Sequence, residues 1–145
     1  MLNDELKKQF PNLLKTEYKI TSLETEDYNC IAWAAGDTEA WWWPDSMGTE
    51  YWPNNIERSE TLASFVKAFE TLSYSVCDSA EYENGFEKIA IYTDANGKPT
   101  HAARQLKSGQ WTSKLGRSFD IKHECEGVAA SNAYGNIAVI MKRSS

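Results

Sequence analysis

The order of local patterns along the chain predicts an α+β fold, with helices in the first half and an antiparallel β-meander in the second. Residues 60–72 place Leu62, Phe65, Val66, Phe69 and Leu72 at helical steps, one apolar face of an amphipathic helix. Lys88 to Thr93 and Ile137 to Met141 are short apolar runs rich in isoleucine and valine, the pattern of buried strands. Between them, Asn96-Gly97 is a strong hairpin turn signal.

The remaining elements follow in chain order. The chain has 145 residues, the size of one domain, which buries roughly 68–70% of its unfolded surface without a staple. Residues 3–9 offer one or two helical turns, stopped at Pro11. Residues 1–26 as a whole read as a polar lead-in, and 27–145 as the core. Asp27 is a candidate N-cap for an apolar helix from Tyr28 to Ala35, closed by Gly36. Residues 37–58 hold Trp41, Trp42, Trp43, Tyr51 and Trp52, broken by Pro44 and Pro53, so they form a loop that folds back over the domain. Ser59 caps the helix of 60–72, and Tyr74 to Cys77 makes a short strand. Thr100 to Leu106 and Gln110 to Leu115 pair across a turn at 107–109, which sets Leu106 opposite Gln110. Residues 119–130 carry a partly helical pattern.

Composition narrows the function classes. Fifteen Lys and Arg against 21 Asp and Glu give a net charge of −6, which opposes nonspecific nucleic-acid binding. No apolar run approaches the ~20 residues of a membrane span, so no membrane partner is expected. The polar start, Met1 to Lys8, has no secretory core, and a cytoplasmic protein with reduced thiols is expected. Cys30, Cys77 and Cys125 match neither a disulfide framework nor a metal-ligand spacing. His123 and Cys125 stand two apart with no second cluster, so no metal site is expected.

Only two histidines, His101 and His123, are available as bases. Cys30 falls in the first turn of its helix, where unpaired N–H groups stabilise a thiolate and an oxyanion. Asn29 adds an amide donor beside it. His101, at the start of a strand and followed by Ala102 and Ala103, leaves room for a helix to approach. Asp120 is a candidate to orient the imidazole, and hairpin arithmetic offers Ser113 as the rival. The aromatic loop, with Trp43, would wall a cleft. Cys77 reads as a core residue.

Tyr28-Asn29-Cys30-Ile31-Ala32-Trp33-Ala34, Thr100-His101-Ala102-Ala103-Arg104-Gln105-Leu106 and Gly109-Gln110-Trp111-Thr112-Ser113-Lys114-Leu115-Gly116, with Trp-Trp-Trp-Pro at 41–44, resemble an uncharacterised bacterial domain family. The order of parts is also similar to the papain-like superfamily, including NlpC-type cell-wall peptidases and bacterial deamidases. That resemblance implies a papain-like arrangement, with N-terminal helices packed on the meander. It implies Cys30 as nucleophile, His101 as base and Asp120 or Ser113 as orienter. The chain departs from the superfamily at two places: Glu24 stands where papain-type enzymes carry glutamine, and no glycine follows His101. The leading expectation is therefore a cysteine hydrolase (peptidase, amidase or deamidase) that needs no cofactor and acts on a peptide or amide substrate. The rival is a binding, immunity or adaptor module that uses the Trp-rich loop 41–52.

Overall fold

A computed structural model describes residues 18–20, 28–37, 40–45, 47–114, 120–123 and 136–144, with the backbone alone for 18–20, 113, 114 and 120–123. Seven strands form one sheet in the order β1-β6-β5-β4-β3-β7-β2, with every pair antiparallel. They are β1 (Tyr18–Ile20), β2 (Ser75–Cys77), β3 (Phe86–Thr93), β4 (Pro99–Gln105), β5 (Trp111–Lys114), β6 (Asp120–His123) and β7 (Asn136–Ser144). Two short helices are described, α1 (Cys30–Ala35) and α2 (Leu62–Glu70).

This architecture corrects the expected papain-like α+β arrangement. The protein is mostly antiparallel sheet, its described helices span six and nine residues, and the sheet is not a simple meander. Strand β7 inserts between β3 and β2, and β1 returns beside β6. Residues 120–123, expected as part of a helix, pair with β1 and β5 instead. Tyr18 to Ile20, expected in an irregular lead-in, form the edge strand that β6 requires. Periodicity over three or four residues does not separate strand from helix, and the partner strand decides. The helical turns expected at 3–9 lie outside the described residues.

The hairpins follow their turn chemistry. Between β3 and β4, the Asp94 carboxylate accepts from the Asn96 and Lys98 amides at 2.9 and 3.0 Å, while Gly97 takes φ +80°. Between β4 and β5, Leu106 N–H donates to Gln110 at 2.8 Å and Gly109 takes φ +91°. The expected register is the observed one, with Arg104 opposite Thr112 and Gln105 opposite Trp111.

Helix α2 buries Phe65, Ala68 and Phe69 on the predicted face. Its cap is Thr61, whose hydroxyl accepts from Ser64 N–H at 3.3 Å. Ser59 stands one layer out, bonded to the Ser64 and Thr61 hydroxyls.

Side chains alternate across the strands. Ile89, Ile91, Ala102 and Met141 turn to one face and join Cys30, Ile31, Phe65 and Phe69 in a single apolar cluster. The register pairs Ala90 with Ala103 and Tyr92 with His101. These four turn to the opposite face and are fully buried there. Both helices therefore sit on one side of the sheet. On the other side, the segment 78–85 crosses over: Lys88 Nζ donates to the Ser79 carbonyl at 2.7 Å and Gln105 Nε2 to the Ala80 carbonyl at 2.9 Å.

Candidate functional site

Cys30 is the first residue of α1, because Asn29 rather than Asp27 is the cap. Asn29 lies extended, at φ −107° and ψ −178°, and its side-chain oxygen accepts from the Ala32 amide at 3.0 Å. The same oxygen accepts from the Trp42 amide at 3.1 Å, and Nδ2 donates to the Trp42 carbonyl at 2.8 Å. One buried side chain thus caps the helix and pairs both backbone groups of Trp42. Gly36 ends the helix at φ +85° as expected. The Cys30 side chain is buried within the helix-side cluster.

The helix is tied to the sheet through Trp33. Arg104 stacks its guanidinium 4.3 Å from the Trp33 ring centre, Trp33 Nε1 donates to Thr112 Oγ1 at 3.3 Å, and Tyr28 stacks on Trp33 at 5.5 Å. Arg104 and Thr112 are cross-strand partners. The approach of α1 uses the small residue Ala102, as the sequence suggests. His101 is the neighbour on the strand and therefore turns away from the helix. Its ring meets Tyr92 edge-on at 5.2 Å on the opposite face. The sheet thus lies between Cys30 and His101.

Asp120 opens β6 opposite Lys114, and β5 separates that strand from β4. Two strand spacings put the backbone of β6 about 10 Å from that of β4. Ser113 follows Thr112 on β5, the strand that pairs with β4. Trp43 packs edge-on against Phe65 at 5.3 Å, and Trp52 meets the same ring at 5.1 Å. Trp42 and Trp52 are core residues; their indole N–H groups donate to Asp37 Oδ2 and the Glu57 carbonyl.

What the aromatic segment exposes is a loop. The Trp42 and Tyr51 regions form a parallel bridge, with Trp43 N–H donating to Tyr51 and Tyr51 N–H to Trp41. Between them the Asp45 carboxylate accepts from the Thr49 hydroxyl, the Thr49 amide and the Glu50 amide. Arg58 closes the loop with bonds to the Asp45 carboxylate and to the Asp45 and Glu50 carbonyls at 3.0–3.2 Å. The Thr49 hydroxyl above all, then the two amides, hold the Asp45 carboxyl at about 2, below its ordinary 3.8. On this locked frame Met47 is 84% exposed and Tyr51 49%. Tyr51 belongs to the aromatic segment 41–52 that the sequence offers as a binding surface, whereas Met47 is not singled out there. A signal was present: Asp-Ser-Met-Gly-Thr places one large apolar residue inside a polar turn pattern.

A second feature lies at the β2 edge. Val76, Cys77, Asp78, Ser79, Glu83 and Lys142 line an open cleft of about 340 Å³. Lys88, fully buried, reaches Glu83 at 3.3 Å, and Lys142 reaches it at 3.0 Å. Hydrogen bonds from Lys142 and then Lys88 hold the Glu83 carboxyl below its usual range. Cys77 lines this cleft half-buried, where the sequence suggests a core position; its thiol donates to the Ser79 carbonyl. Neither Cys30 nor Cys77 forms a disulfide in the structure. Among the described residues no three His, Cys, Asp or Glu side chains gather as a metal site, and no helix is long and apolar enough to cross a membrane. Cys125 lies outside the described residues.

The family model of a domain of unknown function, DUF7689, matches residues 19–142. The chain belongs to the DUF7689 family. The match begins within β1 and ends within β7, so it takes in both helices and nearly all of the sheet. No curated protein and no solved structure matches this DUF7689 chain.

Proposed function

We propose that this DUF7689 domain is a non-catalytic protein-binding module whose contact surface is the loop around Met47 and Tyr51, within residues 47–58. One observation carries the reading: Met47 projects 84% exposed from a backbone locked by Asp45 and Arg58. A solvated methionine on a rigid loop loses little conformational entropy when it docks, and it adapts to an apolar socket. Tyr51, half exposed and resting on Trp42 at 4.7 Å, adds an amphipathic ring of the kind enriched in contact hot spots. The charge balance favours a protein whose apolar socket has a basic rim, since the chain carries −6 and Glu50 and Glu57 stand on the loop. A Cys30 hydrolase is disfavoured by the position of its expected base across the sheet.

The test compares proteins retained from host-cell lysate by the immobilised wild-type chain and by a Met47→Asp, Tyr51→Ser variant. A discrete partner, enriched at least about tenfold on the wild type and weakened by added salt, is the expected outcome. Equal retention on both chains would overturn the reading. So would amide hydrolysis by the purified chain that disappears in Cys30→Ala.

A further inference from the structure

We propose that Met47 is an oxidation site, and that a peroxide acting on its thioether switches the loop contact off. This inference rests on the binding reading above. Met47 is 84% exposed, whereas Met141 on β7 is fully buried, so a solvent-borne oxidant meets the first sulfur and not the second. In the reaction the sulfur lone pair attacks one peroxide oxygen. An S–O bond forms, the O–O bond breaks, and the departing hydroxide takes the proton from the oxygen now bound to sulfur and leaves as water. Sulfur loses two electrons and the peroxide gains them. The product is a polar sulfoxide in place of an apolar side chain.

The local structure confines the effect to the contact. The loop is held by the Asp45 carboxylate, by Arg58 and by the Trp43–Tyr51 and Tyr51–Trp41 backbone bonds. Gly48, in the left-handed region at φ +71°, donates its amide to the Asp45 carbonyl at 3.2 Å. None of these bonds uses the Met47 side chain. Oxidation therefore changes what the loop presents and leaves its shape intact. Methionine sulfoxide is reducible by the reductases of both epimers, which makes the change reversible.

The experiment treats the folded chain with hydrogen peroxide and maps the oxidised residues by peptide mass spectrometry. Sulfoxide at Met47, with Met141 intact and the circular dichroism unchanged, is expected. The partner retained by the wild-type chain is then bound about tenfold more weakly, recovers after methionine sulfoxide reductase, and is insensitive to peroxide in Met47→Leu, which keeps the apolar anchor. Oxidation of Met141 as fast as Met47 would overturn the site, and so would peroxide sensitivity that persists in Met47→Leu. If the sulfoxide forms and the partner stays bound while Met47→Asp loses it, the switch fails and the binding reading stands. If neither the sulfoxide nor Met47→Asp alters retention, both fail.

Discussion

Asn29 satisfies three backbone groups with one buried side chain: the Ala32 amide that opens α1, and the amide and carbonyl of Trp42. Removing it uncaps the helix and strands both groups of Trp42 away from water. Asn29→Ala is expected to cost about 2–4 kcal/mol, summing a lost cap and unpaired buried polar groups, read as a fall in the urea midpoint at unchanged m-value. The sequence suggests Asp27 as the cap and reads Asn29 only as an amide donor beside Cys30, although the two residue types cap with similar intrinsic quality. Only Trp42, thirteen residues away, chooses between them, and no local pattern contains that partner. The same choice moves Cys30 from the third helical position to the first. His101 was legible as a strand residue but not by its face, because one residue of register reverses which side every side chain takes.

At the scale of elements, the aromatic segment divides its roles. Trp42 and Trp52 are buried in the core, with Trp43 and Trp52 meeting Phe65 of α2, and the loop that joins them is a polar construction around Asp45. The Asp45 carboxyl is held at about 2 against an ordinary 3.8. A lowered folded value means that its contribution is complete above about pH 4 and is lost as the pH falls towards 2. Hydrogen exchange at the Thr49 and Glu50 amides is therefore expected to stay protected at pH 4 and to open near pH 2. Asp45→Asn should abolish that pH dependence by removing the titrating group, while the rest of the chain keeps its own acid response. The tryptophan count showed that rings must be buried. It could not show which would be buried, because that depends on Phe65, supplied by a helix that the sequence does identify.

Across the whole molecule, Lys88 is the residue that only the assembled sheet explains. It lies opposite Lys142 on β7, fully buried, and Glu83 from the crossing segment joins the two ammonium groups. Removing the carboxylate leaves a buried ammonium without its counter-charge, whereas replacing Lys88 by an apolar side chain removes the burial cost together with the charge. Glu83→Ala is thus expected to destabilise the chain more than Lys88→Met in matched thermal melts; the reverse order would show that the pair itself supplies net stability. In the sequence Lys88 is simply the polar start of a strand. Its burial comes from residues 78–85, which a reading by periodicity leaves as loop.

The sequence by itself determined the local units: the face of α2, the two hairpin turns, the register of β4 on β5 and the left-handed close of α1 at Gly36. These rest on contacts between residues a few positions apart, where side-chain period and backbone φ suffice. Tertiary structure alone decided the insertion of β7 beside β3, the pairing of β1 with β6, the burial of Lys88 and the separation of Cys30 from His101. Each of these depends on which distant strand supplies the hydrogen bonds, and hence on which face of a shared sheet a side chain meets.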